Sequence, residues 1–142
     1  MSKYSIVVPA YNEEETLRLF YEATVPAFES LNEEFELIFV NDGSTDKTQE
    51  ILAELAEQDK RVKVCRFSRN FGQQAALLCG LETATGDAVI AMDADLQDSP
   101  KAALEMIEEF KFFSVFRSIV AQAVSIQTKR AFPYDFRSFL VF

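Results

Sequence analysis

Residues Gly86 to Pro100 read GDAVIAMDADLQDSP. The apolar run Ala88 to Met92 has the length and boundaries of a buried strand, and it empties directly into Asp93-Ala94-Asp95. Side chains two apart on an extended segment point the same way, so both carboxylates, and Gln97 after them, are expected to face one spot. Two like charges held together at a strand end are costly unless a cation or a proton sits between them. That is the geometry of an oxygen-ligand metal site. A second reading stays open, because aspartates after strands often only cap the next helix. Here Ser99 suits the N-cap and Pro100 the first helical position, with Asp98 supporting the same turn, so the capping duty has other candidates.

Upstream of this stretch, short β-rich runs alternate with helical ones. Tyr4 to Val8, Glu36 to Val40, Val62 to Phe67 and Ala88 to Met92 read as strands; Glu13 to Leu31, Lys47 to Gln58 and Gln73 to Thr83 read as helices. Alternation on this scale implies right-handed crossovers and an α/β fold, a mainly parallel sheet flanked by helices. Ligands in such sheets bind beyond the carboxyl ends of the strands. The polar and unusual residues fall at those ends: Pro9 to Glu13, Asn41 to Ser44, Ser68 to Gly72 and Asp93 to Gln97. Four strand ends are expected to converge on one crevice.

Composition narrows the chemistry. A chain of 142 residues with 49% hydrophobic content suits one soluble globular domain. Its net charge of −9 argues against nucleic acid as a partner, since phosphate backbones are held mainly by Lys and Arg. A bound nucleotide diphosphate would therefore need a cation as intermediary. There is no histidine, which excludes His-based triads and typical zinc sites and leaves carboxylates with hard cations such as Mg²⁺ or Mn²⁺. Cys65 and Cys79 lack metal-ligand spacing and read as reduced core residues of a cytoplasmic protein. The N-terminal apolar run, Ile6 to Val8, is too short for a signal peptide, and no apolar segment is long enough to span a bilayer.

Each strand-end residue has a plain alternative. Asn12 with Glu15, and Asp46 with Gln49, fit capping boxes and are expected to cap helices. Asp42 precedes Gly43 in a turn, has no evident cap duty, and can accept an N–H from a nucleobase edge. Tyr11 can stack on that base or merely cover the sheet edge. Arg69, with the helix opening near Gly72, can form an anion site, although a solvated Arg is the default. Neither the Rossmann nor the Walker glycine-rich loop is present.

Four stretches carry a resemblance: VVPAYNEE at Val7 to Glu14, VNDGSTDKT at Val40 to Thr48, SRNFGQQAALLCGL at Ser68 to Leu81, and GDAVIAMDADLQD at Gly86 to Asp98. Together they resemble the inverting family-two glycosyltransferases, in particular the dolichyl- and undecaprenyl-phosphate sugar transferases, over about Ser5 to Glu109. The resemblance implies a GT-A (Rossmann-like) nucleotide-diphospho-sugar transferase fold, a UDP- or GDP-sugar donor and a hexose transferred to a polyprenyl phosphate or glycan acceptor. It implies that Pro9, Ala10, Tyr11, Glu13, Asp42, Arg69 and Asp93 contact the nucleotide-sugar. Asp93, Asp95 and Gln97 would hold a divalent Mg²⁺ or Mn²⁺, with Asp93 and Asp95 as the catalytic pair. Its setting would be cell-envelope polysaccharide synthesis at the inner face of the membrane.

After Phe110 the character of the chain changes. Residues 1–110 carry 22 acidic and 9 basic side chains, whereas 111–142 carry one acid, Asp135, and five bases. Eight of the fourteen phenylalanines fall from Phe110 onward, and all four glycines lie before it. The expected organisation is therefore a nucleotide-sugar-binding domain over 1–110 and an atypical Phe-rich basic tail over 111–142, either replacing or read out of frame from a longer natural C-terminal half. On that reading the chain binds donor without efficient transfer. Phe113, Phe116, Val120 and Val124 recur at helical spacing, so Phe110 to Thr128 also reads as an amphipathic helix for a membrane surface or an oligomer interface. The competing function is a non-catalytic nucleotide- or metal-binding module that self-associates through this tail.

Overall fold

The computed structural model describes residues 2–97, 99–109, 111 and 139–140. Asp98 and, Lys111 apart, the amphipathic helix expected over Phe110 to Thr128 lie outside them. In chain order the elements are β1 (Lys3–Ala10), α1 (Leu17–Glu29), β2 (Glu34–Asn41), α2 (Thr48–Gln58), β3 (Val62–Arg66), α3 (Gln73–Thr83), β4 (Ala88–Ala91), α4 (100–109) and β5 (Phe139–Leu140). The strands form one parallel sheet in the order β3-β2-β1-β4-β5. Two crossovers carry the chain outward from β1 to β3, and α3 brings it back to the far side of β1. The order thus reverses between β1 and β4, and ligand crevices in open α/β sheets form at such reversals, beyond the carboxyl ends of the strands.

Both faces of the sheet are covered, so β1 and β2 are apolar almost throughout, as parallel strands require. On one face Tyr4, Ile6, Val8, Leu37, Phe39 and Ile90 pack beneath α1 and α2, with Ala103 and Ile107 of α4 in the same core. Full burial of each large side chain there contributes about 1.5–3 kcal/mol. The other face is thinner: Val7, Ile38, Val40 and Val89 meet Ala76 of α3. A Cβ added at Gly80 would lie 2.2 Å from Val7 Cγ1, so only a glycine lets α3 settle this close to β1. Cys65 and Cys79 are free thiols at the edge of this second core, and burial pushes the Cys79 thiol up.

Two helix starts differ from the sequence reading. The first helix begins at Leu17, not Glu13, because Asn12 takes a left-handed φ of 53° and its Oδ1 accepts the N–H of Thr45 at 2.8 Å. The Asn12–Glu15 capping box is therefore not formed. Asp46 does serve the start of α2, accepting the Thr48 N–H at 2.9 Å, but Gln49 accepts from Asn41 Nδ2 instead of turning back to complete a box. Ser99 caps α4 as read, its Oγ accepting the Lys101 N–H at 3.2 Å.

At the amino ends of the strands, Glu36 is 3% exposed and ties four segments together. Its carboxylate accepts from Ser5 Oγ and from the Thr85 N–H and hydroxyl, and it pairs with Lys3 and Lys63 at 3.1 and 2.8 Å. Burial alone would raise its pKa, but these donors outweigh it and hold the group at about 2, against an ordinary 4.5. A depressed carboxylate stabilises the fold fully above its unfolded pKa, and that contribution is lost as pH falls towards its folded one. Lowering pH from about 4.5 to 2 should therefore remove on the order of 3 kcal/mol through Glu36. Asp59, held to about 2 chiefly by Arg61, shares the window. Urea midpoints measured across this range should fall steeply in the wild type and less steeply in Glu36→Gln, which should also be weaker at neutral pH.

Candidate functional site

The crevice at the reversal point is a cavity of about 440 Å³ lined by Pro9, Ala10, Tyr11, Glu13, Asp42, Asn70, Gly72, Gln73, Asp93, Ala94 and Asp95. Residues following β1, β2, β3 and β4 all contribute, so the expected convergence of four strand ends is found. Seven of the sequence-derived candidates meet here: Pro9, Ala10, Tyr11, Glu13, Asp42, Asp93 and Asp95. Arg69 and Gln97 do not line the cavity. The Arg69 guanidinium instead stacks on the Phe71 ring, 4.4 Å from its centroid, and Gln97 donates its backbone N–H to Asp95 Oδ1 at 3.0 Å.

Three loops are laced into one wall. Between the first and second, the Asn12 N–H reaches Ser44 Oγ at 3.0 Å, the Glu13 N–H reaches Thr48 Oγ1 at 2.9 Å, and the Lys47 N–H reaches Glu14 Oε2 at 3.0 Å. Between the second and third, Asp42 is 4% exposed, and its two oxygens accept the N–H groups of Phe71 at 2.7 Å and Gly72 at 3.0 Å. A carboxylate oxygen has room for a second donor, so this clamp does not use up the acceptor capacity of Asp42 towards the cavity. Gly43 makes the approach possible: its φ is +70°, and a Cβ there would stand 2.2 Å from the Arg69 carbonyl carbon.

The acidic pair is presented differently from the simple strand argument. The sheet pairing of β4 ends at Ala91, and Asp93 to Asp95 form a turn. Ala94 is buried between two exposed aspartates, which keeps both carboxylates on the cavity side even without extended geometry. Gln73, the first residue of α3, donates from Nε2 to Asp93 Oδ1 at 3.4 Å. Sequence reading passed over Gln73 as an ordinary helix residue; its place directly after Gly72, at the opening of a helix, was the available signal.

Electrostatically the cavity is one-sided. Four of its lining residues are acids and none is basic. Among the described residues no third acid, histidine or cysteine completes a closed metal cage around the pair. Two carboxylates with open positions suit Mg²⁺ or Mn²⁺, which keep water or take phosphate oxygens in the remaining places.

Solved glycosyltransferases of the GT-A class share this doubly wound parallel sheet. The chain belongs to glycosyl transferase family 2, whose family model matches residues 5–131. It is 47% identical over 110 residues to a prophage bactoprenol glucosyl transferase homolog of Escherichia coli, covering 77% of this chain and 36% of that protein. Solved structures that share the fold include two with bound nucleotide-sugar. Staphylococcus aureus TarS 1-349 in complex with UDP-GlcNAc has a TM-score of 0.59 at 29% identity, over 75% of this chain and 31% of that one. The mannosyltransferase PcManGT of Pyrobaculum calidifontis, in complex with GDP-Man and Mn²⁺, has a TM-score of 0.52 at 29% identity, over 66% and 28%. The chain thus spans about a third of the length of the curated relatives it matches.

The two loop glycines should respond differently to alanine. Both have positive φ, but an added Cβ meets backbone at Gly43 and nothing within 4 Å at Gly72. Gly72→Ala should cost about 1–3 kcal/mol of conformational strain, and Gly43→Ala about 1–3 kcal/mol more through overlap with backbone, as read from urea unfolding. Equal losses would contradict the close approach of the second and third loops.

Proposed function

We propose that this chain forms the donor-binding part of a glycosyltransferase that moves a hexose from a UDP- or GDP-sugar to a polyprenyl phosphate. The observation that carries the reading is the acidic cavity itself. A nucleoside diphosphate is anionic and would be repelled by Glu13, Asp42, Asp93 and Asp95 unless a divalent ion came with it. The TarS and PcManGT complexes support a nucleotide-sugar ligand for the fold, and the second supports Mn²⁺ with it. The bactoprenol glucosyl transferase homolog supports a polyprenyl acceptor.

In this reading Tyr11, with Pro9 and Ala10, takes the base end, and Glu13 and Asp42 take the base and ribose. Asp93 and Asp95 hold the ion, with Gln97 beside them. When bound, Mg²⁺ or Mn²⁺ supplies positive charge against the developing negative charge of the leaving nucleoside diphosphate. The chain's own residues would bind and orient the donor so that the face of its anomeric carbon opposite the leaving group is open to the acceptor. A polyprenyl phosphate is already anionic near neutral pH, so attack through its oxygen needs no protein general base. Such an acceptor places the reaction at a membrane face. No helix among the described residues is long and apolar enough to cross a membrane, so any contact would come from the surface or from outside these residues.

Isothermal titration of UDP and GDP with and without Mn²⁺ checks the proposal. One nucleotide should bind at least about tenfold more tightly with the ion, and Asp95→Ala should abolish that gain. Equal binding in the presence of a chelator, or no binding of either nucleotide, would count against a metal-bridged donor site.

A further inference from the structure

Asp42 and Asp93 both line the cavity, and contacts at the start of α3 link them. Asp42 holds the N–H groups of Phe71 and Gly72, the two residues that lead into the helix. The next residue, Gln73, places its side-chain amide on Asp93 Oδ1. The helix between is seated without play, since Gly80 lies against Val7 and Ala76 is fully buried. A carboxylate accepting two backbone N–H groups at a helix start is a strong, charge-assisted clamp. The group that holds the residues leading into α3 therefore helps to set where Gln73 stands, and Gln73, 3.4 Å from Asp93 Oδ1, is one of the groups that orient that carboxylate.

We infer that Asp42 and Gln73 are positioning residues for the metal end of the site: Asp42 fixes the first turn of α3, and Gln73 in turn orients the Asp93 carboxylate towards the divalent ion. This rests on the proposed donor-site reading and extends it, because it gives Asp42 a task besides lining the nucleotide pocket and assigns one to Gln73. Partners that orient a ligating carboxylate change metal affinity by about 10- to 100-fold when removed. A residue that only touched the base would leave metal uptake unchanged.

The test reads Mn²⁺ uptake by the nucleotide-saturated protein from the loss of the free-ion electron paramagnetic resonance signal. Uridine and guanosine binding and amide hydrogen exchange are measured alongside. Gln73→Ala should weaken Mn²⁺ uptake about tenfold, a clearly larger factor than any change in nucleoside binding. Asp42→Asn should speed exchange at the Phe71 and Gly72 amides at least about tenfold in the metal-free protein, and its effect on Mn²⁺ should not add to that of Gln73→Ala. Gln73 is exposed, so its variant folds, and Asp42→Ser, which still accepts one N–H, serves if Asp42→Asn does not. Mn²⁺ uptake indifferent to Gln73→Ala, or strictly additive losses in the double variant, overturns this inference alone. A wild-type protein that takes up no Mn²⁺ with either nucleotide overturns the donor-site reading, and this inference with it.

Discussion

The packing of α3 on β1 sets the position of everything at the crevice. Gly80 meets Val7 with no room for a Cβ, so the helix crosses back over the sheet at a fixed height, and β4 enters beside β1 in the register Tyr4 to Ala88 and Val7 to Ala91. That register decides where the turn carrying Asp93 and Asp95 emerges. The same crossing brings the start of α3 against the turn after β2, where Asp42 clamps it. A single small residue in one core thus governs the geometry of two distant loops.

The second governing feature is charge. The crevice gathers acids without a basic side chain among its lining residues, while the described cations largely pair with carboxylates elsewhere: Lys3 and Lys63 with Glu36, Arg61 with Asp59 and Glu29, Arg18 with Glu54. Arg69, an anion-site candidate in the sequence, does not line the cavity, and its guanidinium stacks on the Phe71 ring. Like charges at close range are tolerable when solvent or a counter-ion reaches them, and the open cavity provides for both. The fold therefore makes a site that is poor for an anion alone and suited to an anion that arrives with a divalent ion.

Much of this was legible in the chain. Apolar runs of strand length ending in polar clusters located β1 to β4 within a residue or two at most of the described boundaries, and the Ser99-Pro100 pair marked the start of α4. Seven of nine candidate site residues line the cavity because strand ends in a parallel sheet must converge. What the sequence concealed was side-chain allegiance across loops. Asn12 and Gln49 have the composition of caps, yet Thr45, 33 residues away, and Asn41, at the end of β2, claim them. Gln73 looked like an ordinary helix former, because its contact with Asp93 depends on how α3 lands. The family to which the chain belongs was visible in four ordered motifs, each placed at one of those loops.

The central claim is that a divalent ion joins a nucleoside diphosphate to Asp93 and Asp95 in this crevice. Crystals grown with Mn²⁺ and whichever nucleotide binds, measured at a wavelength where manganese scatters anomalously, test it directly. The account predicts a manganese peak between the two aspartates and the diphosphate, with the base against Tyr11. A nucleotide seated in the crevice without the ion, or manganese bound away from both aspartates, would contradict it.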